Sequence, residues 1–137
     1  MRRLLLVLFA ALALVPLASA WTWPADGPVL RPFTFDPAVP KDPGQHRGID
    51  VAGELGAVVR APAAGVVSFV GTVPSNGMCV TIQTPDGWSV TLTHLGSIAV
   101  TRGASVAEGD GVGTIGPVRN RCLQQLLTRR VHKRVRI

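Results

Sequence analysis

Glycine and proline interrupt this chain so often that a long helix has nowhere to run: 15 glycines and 11 prolines fall within 137 residues. Inside a helix each glycine costs about 1 kcal/mol and each proline about 3 kcal/mol. The stretches between them read as short strands. Cys79 to Thr84 and Trp88 to His94 flank Pro85-Asp86-Gly87, a strong hairpin signal. Alternation puts Trp88, Val90, Leu92 and His94 on one face of the second strand, with Ser89, Thr91 and Thr93 on the other. Val58-Val59, Val66 to Val70, Ile98 to Val100, Ser105-Val106 and Val112 to Ile115 continue the pattern. Turns are expected at Ala61 to Gly65 and at Gly103, Gly109 and Gly111. The expected fold is mainly β, a compact antiparallel sheet folded into a sandwich or barrel.

Residues 1–20 read as a signal peptide: Arg2 and Arg3, an apolar run from Leu4 to Leu17, then Ala18-Ser19-Ala20 as the cleavage site. The run is short for a membrane span, which needs roughly 20 residues, and no later segment is apolar enough. Cleavage leads to a secreted or cell-wall-associated domain starting at Trp21, and nothing indicates anything but a monomer. Residues 21–44 carry prolines at 24, 28, 32, 37, 40 and 43, which predicts an extended leading segment lying over the domain. Trp21, Trp23, Phe33 and Phe35 are its expected packing anchors. Charge is split along the chain: residues 21–116 hold five basic and eight acidic residues, whereas 117–137 hold seven basic and no acidic ones. The high overall basicity therefore belongs to the ends of the chain, and it excludes a simple nucleic-acid-binding reading of the domain. Cys79 and Cys122 are allowed to pair in an oxidising compartment, though Cys79 in a strand reads more naturally as a buried thiol.

His46 and Asp50, within Gln45-His46-Arg47-Gly48-Ile49-Asp50-Val51, carry the chemistry. An imidazole and a carboxylate can close on one divalent metal, zinc being the usual occupant of such nitrogen and oxygen donors. Gly44 and Gly48 argue for a turn entering a strand near Ile49. A plain hydrogen-bonded turn is the alternative for this pair, and a satisfied core histidine is the alternative for His94.

Together, H-R-G-I-D-V at His46–Val51, A-P-A-A-G-V-V at Ala61–Val67, Thr93-His94-Leu95 and G-D-G-V-G-T-I-G at Gly109–Gly116 make the chain from about Arg31 to Gly116 resemble the lysostaphin/LytM-type zinc endopeptidases, with residues 45–116 as the peptidase-like domain. Members of that family cut the peptide cross-bridges of bacterial peptidoglycan. The resemblance implies a duplicated hybrid motif fold, His46 and Asp50 as Zn2+ ligands, and His94 as the catalytic histidine that activates water or steadies the oxyanion. The family's third ligand comes from a C-terminal H-x-H, which this chain lacks; His132 is the candidate for that place. Residues 117–137 read as a basic, atypical tail, either a solvated or polyanion-binding arm or the product of a lost reading frame. Two functions are expected: a zinc metalloendopeptidase acting on cross-bridges, or a catalytically degenerate module that docks to the wall or activates a cell-wall hydrolase. A carrier or phosphotransfer domain of related fold is the weakest of the three readings, since no carrier lysine stands in a suitable hairpin and export argues against a cytoplasmic carrier.

Overall fold

Short strands alternate with glycine- and proline-bearing turns throughout the described residues, 21–117 and 133–137 of a computed structural model. In chain order they are β1 (Val29–Arg31), β2 (Asp50–Gly53), β3 (Val58–Arg60), β4 (Gly65–Val73), β5 (Gly77–Gln83), β6 (Ser89–Ile98), β7 (Ser105–Val106), β8 (Gly111–Ile115) and β9 (Lys133–Arg136). Every pairing among them is antiparallel. The main sheet runs β1-β2-β9-β6-β5-β4-β7, and β8 joins β3 to β6. The expectation of a mainly β, antiparallel fold is met. Residues 1–20, read above as a signal peptide, and Cys122 and His132 lie outside the described residues.

The β5–β6 hairpin forms where its turn residues demand it. Gly87 takes φ 93°, Thr84 N–H donates to Trp88 O at 2.8 Å, and the Thr84 hydroxyl donates to the Asp86 carboxylate. Val80, Ile82 and Leu92 from this hairpin meet Val51, Val59, Val67, Val112 and Ile115 in one core. Burying each such side chain stabilises the fold by about 1.5–3 kcal/mol.

Alternation along β6 fails at His94. This residue adopts φ 61°, a left-handed conformation uncommon outside glycine, though histidine, asparagine and aspartate enter it more readily than other residues. Val80 pairs with Leu92 but Met78 with Leu95, so β6 carries one residue more than β5 across this interval, a β-bulge. The buried stripe therefore runs Val90, Leu92, Leu95, and His94 does not end it as the sequence predicts. Trp88, expected on the same stripe, stands 63% exposed at the turn. The bulge also changes the partner of β6. Thr93 pairs with Arg136 of β9, whereas Leu95 pairs with Ile115 of β8.

The leading segment lies against the domain, but of its four aromatic residues only Phe35 is half-buried, against Phe33 and Arg47. Trp21, Trp23 and Phe33 are exposed, while Pro24 and Ala25 are buried. Backbone bonds hold it instead: Thr22 N–H to Pro62 O at 2.9 Å, Arg60 N–H to Pro24 O at 3.0 Å, and Ala52 N–H to Pro28 O at 2.9 Å. At Gly27 a Cβ would stand 2.2 Å from Ala52 O, so only a residue without one permits the close approach.

Strand structure does not stop at Gly116. β9, drawn from the basic segment, lies between β2 and β6. Its register sets Arg136 opposite Asp50, Val135 opposite Val51, Arg134 opposite Ala52 and Lys133 opposite Gly53. Ile137 then exchanges both backbone hydrogen bonds with Ile49, at 3.0 and 3.1 Å, and packs against the core.

Candidate functional site

His46 is placed by the leading segment. Thr34 and His46 pair backbone to backbone, with Thr34 N–H donating to His46 O at 2.9 Å, and the Thr34 hydroxyl accepts from His46 N–H at 3.1 Å. Arg31 donates from Nη2 to Gly44 O at 2.8 Å, and Arg47 donates to Pro40 O at 2.9 Å while its guanidinium lies 4.4 Å above the Phe35 ring. The approach to the histidine is thus clamped from both sides.

The ring orientation follows from one contact. His46 Nδ1 lies 2.9 Å from Pro32 O, and since a carbonyl only accepts, Nδ1 carries the proton. In the neutral ring Nε2 is then a bare acceptor. It points at Asp50 Oδ1, 3.3 Å away, yet makes no hydrogen bond. Both side chains are buried, at 3% and 0% exposure. Facing each other out of water, the two acceptors could serve as donors to one cation. A carbonyl behind the imidazole is also how proteins fix the tautomer of a metal-ligating histidine.

His46 and Asp50 therefore suit two corners of a zinc site. A catalytic zinc takes three protein ligands, and among the described residues no three of His, Cys, Asp and Glu are grouped to hold a metal. His94 does not join the pair in such a group. Its N–H donates to Asn76 O at 2.8 Å and its carbonyl accepts from Gly116 N–H at 3.0 Å, so these bonds place its backbone at the bulge. Between Asp50 on β2 and Thr93 on β6 runs β9, two strand spacings or about 10 Å in all. The β9 residue opposite both is Arg136, whose guanidinium has no lone pair to offer a metal. The donor set among the described residues does not make a three-ligand zinc centre.

Sequence reasoning did not single out three residues of this part of the fold. Pro32 acts through its carbonyl, which no motif announces. Thr93 is buried, and its hydroxyl has no hydrogen-bond partner; its only signal was standing next to His94. Arg136 was counted among the tail's charges rather than placed in a strand.

Known proteins resemble this chain in sequence and fold. Over 99 residues, 72% of the chain, it is 30% identical to the murein hydrolase activator NlpD of Salmonella dublin. Over 98 residues it is 30% identical to the cell division protein DipM of Caulobacter vibrioides. It spans only 25% and 15% of the length of these two relatives. A zinc-containing peptidase from Vibrio cholerae superposes with a TM-score of 0.64 at 22% identity, over 85% of this chain and 35% of that one, a likeness of fold. Among the described residues no helix is long and apolar enough to cross a membrane. The model of Peptidase family M23 matches residues 44–136, from the turn before His46 to the strand that carries Arg136, and the chain belongs to that family.

Proposed function

We propose that this domain is a non-cleaving member of the family, exported to the cell envelope, where it binds at the cell wall and activates a murein hydrolase. The observation that carries this reading is the occupant of the central strand. Opposite Asp50, where a zinc peptidase needs another donor nearby, β9 presents Arg136, and none of Lys133, Arg134, Val135 and Arg136 is a usual zinc ligand. The relative named as a murein hydrolase activator supports the choice of partner. Arg2, Arg3 and the apolar run from Leu4 support export.

A second reading, a zinc endopeptidase acting on peptide cross-bridges with His132 as the third ligand and His94 as the catalytic histidine, draws on the unsatisfied Nε2 of His46. Dye-labelled peptidoglycan separates the two. The protein alone should release no dye, and added to a murein amidase it should raise release several-fold. Release by the protein alone, abolished by a chelator and by His46→Ala, would establish the peptidase instead.

A further inference from the structure

Four dipeptides in this chain put glycine directly after aspartate or asparagine: Asp26-Gly27, Asn76-Gly77, Asp86-Gly87 and Asp110-Gly111. Without a Cβ, the glycine leaves its own amide nitrogen unshielded, and that nitrogen can close a five-membered ring on the preceding side-chain carbonyl carbon. In three of the four the side chain is held. Asp26 accepts from both Arg60 Nη atoms at 2.8 and 3.2 Å, Asp86 accepts from the Thr84 hydroxyl, and Asp110 Oδ2 accepts from Ala107 N–H at 2.8 Å. Among the described residues the Asn76 side-chain amide makes no hydrogen bond, and the residue is half-exposed. Its amide also loses ammonia, whereas an ionised carboxylate would have to expel oxide.

The backbone around Asn76 is tied to the bulge in β6. Asn76 closes the turn between β4 and β5, its N–H donating to Val73 O at 3.1 Å, and Ser75 before it is left-handed at φ 68°. The Asn76 carbonyl accepts from His94 N–H at 2.8 Å. Gly77 follows at φ 69°, and a Cβ there would stand 3.7 Å from His94 Cα, so this turn backs directly onto the bulge.

We propose that Asn76-Gly77 is a site of spontaneous covalent modification whose main product releases His94 from the turn. Gly77 N attacks Asn76 Cγ and gives its proton to solvent; the Cγ–N bond breaks and ammonia leaves. Water then opens the cyclic imide. Opening at Cγ gives aspartate on an unchanged main chain, and opening at the former main-chain carbonyl carbon gives isoaspartate. In isoaspartate the chain runs through the side-chain carbon, one methylene longer, and the former Asn76 carbonyl becomes a carboxylate off the main chain. The acceptor that holds His94 N–H is thereby detached from the strand. A negative charge also enters residues 61–85, which hold no charged side chain. Neither cross-bridge cleavage nor hydrolase activation enters this chemistry, so it stands or falls separately from the proposed function.

The test is to age the purified protein in mildly alkaline buffer for days to weeks. Isoaspartate is quantified by labelling with an isoaspartyl methyltransferase, located by peptide mass mapping, and compared with thermal unfolding of the same samples. Isoaspartate should accumulate at residue 76 several-fold faster than at 26, 86 or 110. The aged protein should unfold about 4 °C or more below the fresh one. Asn76→Asp, which carries the charge on an unaltered main chain, should match the fresh protein. Asn76→Gln, whose ring would have six members, should stay unlabelled and keep its midpoint on ageing. Equal conversion at the three Asp-Gly sites, or conversion at residue 76 only in urea, would overturn the site. Labelled protein with an unchanged midpoint would overturn the link to His94. If Asn76→Gln fails to fold, the peptide map and melting curve of the unaltered protein still decide.

Discussion

His46 is gripped from behind by Pro32 O at 2.9 Å and faced by Asp50 Oδ1 at 3.3 Å, so a carbonyl of the proline-rich leading segment sets which nitrogen meets the carboxylate. The leading segment is therefore part of the site. His46→Ala removes this bond and leaves a cavity, and should cost about 2–3 kcal/mol in urea unfolding. Limited proteolysis should also cut sooner between residues 32 and 45, because the side-chain tether to Pro32 is gone.

The core centres on the β5–β6 hairpin, where Ile82 and Leu92 are fully buried. Ile82→Ala should destabilise the domain by about 2–5 kcal/mol. Trp88→Ala, at an exposed turn position a few residues away, should move stability by less than about 0.5 kcal/mol. Equal losses at the two positions, measured by denaturant titration, would contradict the burial described for this hairpin.

At Gly65 a Cβ would sit 2.3 Å from Gln83 O and 2.8 Å from the Ile82 side chain. Carbonyl oxygens of a paired strand cannot step aside cheaply. Gly65→Ala should cost about 1–3 kcal/mol, and Gly56→Ser, with open space around it but φ 81°, should be milder. Paired melting curves decide the order.

Burial pushes the Cys79 thiol up from its ordinary value of 9.0, so the folded state favours the neutral form. Its contribution to stability is complete below the unfolded value and is lost as pH rises through the higher folded one. Stability should therefore fall more steeply on the alkaline side in the unaltered protein than in Cys79→Ala. Iodoacetamide should label Cys79 at a rate set by opening of the fold, slowly at pH 8 and faster in mild denaturant.

Most of the fold was legible because glycine, proline and alternating apolar residues report directly on local backbone. Pro85-Asp86-Gly87 predicted its hairpin, and Val58-Val59, Ser105-Val106 and Val112 to Ile115 lie in strands where alternation placed them. His94 was misplaced because a bulge shifts parity without leaving a glycine to mark it. Trp21, Trp23 and Phe33 failed as anchors because a proline-rich segment can be held by its own carbonyls, and carbonyls are identical in every sequence. His46 and Asp50 meet as their spacing implied. The role of β9 was hidden because Lys133, Arg134 and Arg136 look like a solvated run, and only cross-strand pairing with distant residues reveals them as sheet.

That pairing has a kinetic meaning. β9 slots between two strands that precede it by dozens of residues, so the middle of the sheet is the last part that can be assembled as the chain is made. Until then β2 and β6 both present open edges toward the same gap, edges that any extended peptide can enter. Folding of this domain is thus a race between its own late strand and strangers. A chaperone that holds the chain unfolded until residues 133–137 are available would decide the race in its favour.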